Sequence, residues 1–375
     1  DDAVALLYSL PSTYIAHFDG NESYDDYARD HDTWRKLIHR AGLQFRYVTD
    51  RMIRLDEFDA ARYKALILPL AFAMDEKEIA VVRRFVADGG TVIADIRPAL
   101  YDGHCKPRET GGLDDLFGIL RGEKREALAI DRIGVDGDIN GRKITMRWGN
   151  WHGKEVYPPM YTDPAVTLTT GKAAGDAFHV HYWSGLKTPT VIVNSYGKGR
   201  AILLNFSLQN APAEKLIAGL LASAGVTPAI QVARENPAAR GDIEITRWRN
   251  GDQELLALLG DYEGNLSVTI PQAAYVGDIK SGVSLGHTDR FTAKLQPHRA
   301  AFFTLNPKAP AAPILRMKSA AHRGDTVTAT IEMPKSEAMH AVTLRAIRPD
   351  GTPADSMKQT IIIGQNPVDI DCLFA

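Results

Sequence analysis

The sequence predicts an α/β doubly wound domain over residues 1–233, followed by two small all-β domains at 235–306 and 308–375. Three observations carry this reading. A strand–helix–strand unit lies between Lys64 and Asp95 and implies a parallel sheet. Beyond residue 235 the hydrophobic period changes to two, the mark of half-buried strands. Two Pro-containing stretches, 236–241 and 306–310, separate the parts.

Taken in order, residues 3–8 form a strand, and a long loop is expected over 9–25. A helix follows, with Tyr27, Trp34, Leu37, Ile38 and Ala41 on one face and Gly42 as its stop. Asp25, Asp26, Asp30 and Asp32 give it an acidic start, expected to be solvated. Residues 44–48 are a second strand. The run Ala65-Leu66-Ile67-Leu68-Pro69-Leu70 is apolar throughout, as a strand covered on both faces would be. Asp75 then caps a helix with Glu78 at the capping-box position, and Ile79, Val82, Phe85 and Val86 share one face. Gly89-Gly90 ends that helix, and Thr91-Val92-Ile93-Ala94-Asp95 is another buried strand. The following Ile96-Arg97-Pro98-Ala99-Leu100 holds no Ser or Cys on a sharp, Gly-flanked turn, so the nucleophile such scaffolds often carry is missing. Residues 113–117 are a short helix. Residues 126–183 change character to a β-rich excursion, with strands at 143–148 and 178–183. The sheet resumes at 190–193, turns at Tyr196-Gly197-Lys198-Gly199-Arg200 and continues through 201–206. A helix over 213–224 closes the domain.

In the first β domain Ile243/Ile245, Leu256/Leu258, Val268/Ile270 and Phe291/Ala293/Leu295 alternate. In the last, Val327/Ala329/Ile331 and Val342/Leu344/Ala346 alternate about a turn at Arg348-Pro349-Asp350-Gly351-Thr352-Pro353, which reads as most of an immunoglobulin-like sandwich. The chain opens straight into a strand and stops inside an alternating run, so a piece of a longer polypeptide is expected.

With 44 Lys and Arg against 46 Asp and Glu, the net charge is −2 and no basic stripe exists, which argues against nucleic acid. No apolar run reaches the roughly 18–20 residues a membrane helix needs. Cys105 and Cys372 lie far apart and have no metal-type spacing. No cofactor is expected.

Several of these segments together resemble a known family. They are Ala65–Leu70, the Asp75-capped helix, Val86-Ala87-Asp88-Gly89-Gly90-Thr91-Val92-Ile93-Ala94, Gly111-Gly112-Leu113-Asp114-Asp115-Leu116-Phe117-Gly118-Ile119, Asn194–Ala201 and Leu256–Tyr262. Over roughly residues 3–305 the chain resembles the trimerisation domain and small C-terminal β domain of family 42 glycoside hydrolases, the β-galactosidases. The resemblance implies a flavodoxin- or class I glutamine amidotransferase-like fold without its catalytic cysteine, and a homo-oligomer, with a trimer favoured. In the family a (β/α)8 barrel with two catalytic glutamates precedes this domain; here it is absent, and residues 308–375 are additional.

No catalytic residue is recognisable, and the site candidates are few. Cys105, between His104 and Lys106, could be an activated thiol or an ordinary loop thiol. His179 and His181 share one strand face and are weak metal candidates, needing a third ligand such as His152 or Asp176. Trp148, Trp151, Tyr157, Tyr161, Tyr182 and Trp183 make the excursion aromatic, as a core, a subunit interface or a carbohydrate contact would be. Asp95 ends a strand where α/β sites sit but has no partner acid in sequence. The Gly197-Lys198-Gly199 segment reads as a hairpin turn, not a phosphate loop. Three functional readings follow: a non-catalytic assembly region of a glycoside hydrolase, a self-contained hydrolase on this scaffold, or a carbohydrate-binding module.

Overall fold

In the computed structural model the described residues are 2–18, 27–122, 127–149, 160–179, 187–208, 211–236, 238, 241–322, 324–333, 340–364 and 366–373. The chain divides into two compact units, Asp1–Pro228 and Ala229–Ala375.

The first unit runs β1 (Val4–Tyr8), α1 (Leu10–Phe18), α2 (Tyr27–Arg40), β2 (Arg46–Thr49), α3 (Asp50–Arg54), β3 (Ala65–Leu68), α4 (Glu76–Ala87), β4 (Thr91–Ala94), α5 (Asp114–Phe117), β5 (Ile119–Arg121), β6 (Leu128–Ile139), β7 (Arg142–Gly149), β8 (Met160–Thr162), β9 (Val166–Leu168), β10 (Lys172–His179), β11 (Lys187–Tyr196), β12 (Gly199–Leu203) and α6 (Glu214–Ser223). One sheet has the order β2-β1-β3-β4-β12-β11-β10-β6-β7, with β8 beside β6. Pairing is parallel from β2 to β12 and antiparallel from there to β7.

Side chains alternate across the parallel strands, and each face has its own helices. Val4, Leu6, Ala65, Ile67, Ile93 and Ile202 meet Trp34, Leu37 and Ile38 of α2 and Leu216, Ile217 and Leu220 of α6. Ala5, Leu7, Leu66, Leu68, Val92 and Ala94 meet Ile79, Val82, Phe85 and Val86 of α4. Covering both faces is why these strands are apolar throughout. The capping box of α4 forms as its sequence predicts: the Glu78 amide donates to Asp75 Oδ1 at 2.8 Å and the Asp75 amide to Glu78 Oε2 at 2.6 Å.

Three expectations change. Residues 10–18 of the expected loop form the helix α1, started by Ser9, whose Oγ accepts the Ser12 amide at 3.2 Å. Asp30, expected to be solvated, is fully buried, while Asp25 and Asp26 lie outside the described residues. The excursion extends the main sheet as its antiparallel half rather than standing apart, because β10 pairs with β11 on one side and β6 on the other, with a register shift between Phe178 and His179. The 196–200 turn is a tight β11–β12 hairpin; Gly197 has φ +58, and a Cβ there would lie 2.6 Å from Ala87 Cα.

The second unit is all β: β13 (Gln231–Arg234), β14 (Ile243–Asn250), β15 (Gln253–Gly260), β16 (Gly264–Asp278), β17 (Val283–Leu295), β18 (Ala301–Asn306), β19 (Ile314–Arg316), β20 (Thr326–Glu332), β21 (His340–Ile347), β22 (Pro353–Ile363) and β23 (Val368–Leu373). β13 to β18 make one sheet around the alternating residues 245, 256, 258, 268, 270, 291, 293 and 295. Two smaller sheets, β19-β20-β23 and β21-β22, share the cluster of Ile331, Met333, Ile363 and Ile370.

Candidate functional site

In an open parallel sheet, ligands and reacting groups gather where the strands end at their carboxyl side. Here β4 ends directly before Asp95. Its carboxyl accepts the Leu70 amide at 2.6 Å through Oδ1 and the Trp34 indole N–H at 2.9 Å through Oδ2. Asp30 of α2 also hydrogen-bonds it. Burial raises the Asp95 carboxyl far above the carboxylate range, against those three bonds. His31, one residue on, lies against the Tyr27 ring at 4.3 Å; burial lowers its imidazole from 6.5 to about 4, opposed by the Pro69 backbone. It is therefore neutral at pH 7.

Beside this pair, the serines that start α1 are tied off. The Ser12 hydroxyl contacts Ser9 Oγ at 2.8 Å and the Ala73 carbonyl at 3.2 Å, and the Ser9 amide donates to the Tyr27 hydroxyl at 2.9 Å. Both serines are buried.

The turn after β4 is the decisive place. An activated nucleophile on this kind of scaffold sits on a sharp, strained strand-to-helix turn. The turn after β4 is strained in this way, with Arg97 at φ +58 and Ala99 at φ +56, but no helix follows it directly. The Arg97 guanidinium is buried and pairs through Nε with Asp163 Oδ2 at 3.3 Å. Asp163 also accepts Arg121 Nε at 3.1 Å, and Arg121 in turn bonds Asp114. Asn205 donates to the Asp163 carbonyl at 3.1 Å and the Ala165 amide to its Oδ1 at 3.0 Å. Two arginines and two aspartates thus form a neutral, buried chain across the strand ends. Such a chain supplies position and electrostatic balance; it offers no nucleophile.

The sequence candidates fall as follows. Cys105 sits in the loop after β4 at φ +64, its Sγ 3.5 Å from the Pro11 carbonyl. Burial, then Asp102, raise its thiol pKa, which is the opposite of activation. Of the three alternatives for the aromatic segment, Trp148 takes the core one in this chain: it is 4% exposed, on the inward face of β7 with Met146 and beside Ile133 of β6. Tyr161 is half-buried in β8. Trp151, Tyr157, Tyr182, Trp183, His152 and His181 lie outside the described residues, as does the side chain of His179. Asp176 pairs with Lys187 at 2.9 Å. Among the described residues no group of three or more His, Cys, Asp or Glu is placed to hold a metal, and no helix is long and apolar enough to cross a membrane. Sequence reading missed Arg97, Asp114, Arg121 and Asp163. Their only local signal was an unusual Arg-Pro directly after a buried strand.

The family described as the β-galactosidase trimerisation domain matches residues 2–227. The chain belongs to this family. A β-galactosidase BgaB from Geobacillus sp. (strain Y412MC61) is 24% identical over 215 residues, covering 56% of this chain and 28% of the relative. The trimerisation-domain chain therefore spans little more than a quarter of that relative's length. Among solved structures, a β-galactosidase from Bacillus circulans sp. alkalophilus aligns over 81% of this chain and 41% of its own, with TM-score 0.63 and 17% identity. The β-galactosidase from Rahnella sp. R3 aligns over 80% and 41%, with TM-score 0.60 and 17% identity. An α-L-fucosidase isoenzyme 2 from Paenibacillus thiaminolyticus shares the fold at TM-score 0.53 and 15% identity, over 82% of this chain and 49% of its own.

Within this trimerisation domain, a second buried acid sets a pH response. Burial raises Glu78 from 4.5 to about 7. Its contribution to stability is full below 4.5 and lost as pH rises through about 7. His31 has the opposite sign, contributing above 6.5 and losing that as pH falls through about 4. Glu78→Gln keeps an acceptor for the Asp75 amide and removes the titration. Urea unfolding between pH 5 and 8 is expected to show the variant gaining stability relative to wild type as pH rises. A difference independent of pH would show that Glu78 does not titrate in this range.

Proposed function

We propose that this chain is the non-catalytic assembly region of a β-galactosidase-like glycoside hydrolase or a divergent relative, and that it brings copies of itself together, with three favoured. The single observation that carries the reading is the turn after β4. On an α/β scaffold matched over residues 2–227 to a trimerisation domain, that turn holds an arginine locked in a buried ion pair. In this reading the parallel half of the main sheet is the doubly wound, flavodoxin- or amidotransferase-like core, kept after its chemistry was lost. The second unit braces or extends the assembly, with β19 to β23 as an immunoglobulin-like sandwich. Carbohydrate is met as the substrate of the enzyme the region serves.

Sedimentation equilibrium of the 375-residue chain tests this. Three copies of a 41.2 kDa chain give about 124 kDa, a closed C3 assembly. A monomer at high concentration would overturn the reading. So would glycoside turnover by the chain alone.

A further inference from the structure

We propose that the second unit carries a binding site for a small neutral saccharide, in a cleft beside the outer face of its main sheet. The inference does not depend on the assembly reading above. Side chains of β15, β16 and β18 alternate, and Leu256, Val276 and Leu305 point into the core. The opposite face carries Tyr275 across from Asn306 and Gly277 across from Thr304. Such a face is ordinarily hydrated. Here Asn306 is 9% exposed and Gln253 of β15 is 3% exposed, and Gln253 Nε2 donates to Asn306 Oδ1 at 2.8 Å. Across from them stand Pro310, Pro313 and His340 of β21, and the cavity so lined measures about 390 Å³. All of these residues belong to one compact unit. His340 Nε2 is buried with no hydrogen-bond partner among the described residues. A Cβ on Gly277 would come to 2.8 Å from Thr304 Oγ1, so the glycine keeps the floor of the cleft open.

The lining selects the ligand. Among the described residues it holds no Lys or Arg, so a phosphate or carboxylate would lose its water and meet no counter-charge. Its one carboxylate, Asp278, already accepts the Lys280 and Ser281 amides through Oδ1 at 2.9 and 3.3 Å, too little to hold a cation. A wholly apolar ligand would leave the amides and the imidazole unmet. A peptide has no edge to join as a strand, because β16 is paired on both sides at Tyr275, to His287 and to Asn306. A neutral ring dense in hydroxyls meets all of these conditions. Its hydroxyls both donate and accept, as Gln253, Asn306, Thr304 and His340 require, and its C–H face fits the Tyr275 and proline rings. The volume lies within the roughly 300–1,000 Å³ of small-molecule sites and suits a mono- or disaccharide.

Isothermal titration of the full 375-residue chain with lactose, maltose, cellobiose and xylobiose, and with glucose 6-phosphate for comparison, tests this. We expect at least one of the neutral sugars to bind with a Kd at or below about 1 mM. Thr304→Val and His340→Phe should each weaken it by about tenfold or more, with far-UV circular dichroism unchanged. Binding of none of the neutral sugars overturns the inference, and it leaves the assembly reading standing if the same chain is a trimer. Binding at full strength in either variant places the site elsewhere and overturns it. Equal or tighter binding of glucose 6-phosphate overturns the assignment to a neutral ligand. Should a variant unfold, Ser284→Trp at the exposed rim decides instead. Lost binding then supports the cleft, and undiminished binding overturns it.

Discussion

Asp163→Ala is expected to destabilise the first unit by about 3–5 kcal/mol, because it removes a buried carboxylate that faces two buried guanidiniums. Arg97 and Arg121 both reach Asp163 Oδ2, at 3.3 and 3.1 Å, and Asp114 answers only Arg121. All four side chains are under 10% exposed, so water screens little of the imbalance. The acid also anchors the Ala165 amide, so part of the loss is a missing acceptor. Urea unfolding of the variant measures the total. The double variant Arg97→Met/Asp163→Ala separates the causes, since it removes one of the two guanidiniums along with the carboxylate and keeps apolar volume. We expect it to recover a clear part of the loss. Equal instability of the single and double variants would sink the charge argument and leave only packing.

Trp34→Ala is the second large effect, about 3–5 kcal/mol for emptying a fully buried aromatic site. Trp34 packs between β1, β3 and the rest of α2 and is 0% exposed. Its indole N–H is also one of the donors that make the Asp95–Asp30 pair tolerable at 2.9 Å. Trp34→Phe keeps most of the ring and removes that donor, and should cost about 1–3 kcal/mol for the unsatisfied carboxyl. Melting both variants in urea orders the two contributions. If Trp34→Phe were neutral, the indole bond to Asp95 would carry no weight.

The parts of this molecule that could be read from the sequence are those whose cause is local. The α4 start needed only Asp75 and Glu78 three residues apart, and both capping bonds form. The buried strands β3 and β4 needed only unbroken apolar runs bounded by Pro69 and Gly90. The alternating residues of β15, β16 and β17 declared one buried face each, and they meet in one cluster.

What failed to show in the sequence had distant causes. α1 contains Thr13, Tyr14 and Ile15, poor helix formers, so local propensity alone reads it as loop. The helix persists because Ser12 bonds Ala73, far along the chain, and because Ile15 and Ala16 find a core there. Asp30 looked like one of several solvated acids, and it is buried because α2 turns it toward Asp95. Trp148 belonged to an aromatic segment that could have faced either way, and strand register turned it inward.

The sequence by itself determined the α4 cap, the buried strands β3 and β4, the lack of a Ser or Cys on the turn after β4 and the resemblance to a trimerisation domain. Period and capping are written in neighbouring residues, and so is the lack of a Ser or Cys. Only the tertiary structure decided what fills the turn after β4 and which surface was left apolar. Arg97, Asp163, Arg121 and Asp114 sit on separate elements, and only chain folding brings their charges within ion-pair distance. The exposure of Leu10, Tyr14 and Phe18 likewise follows from which side of α1 the core of the first unit covers.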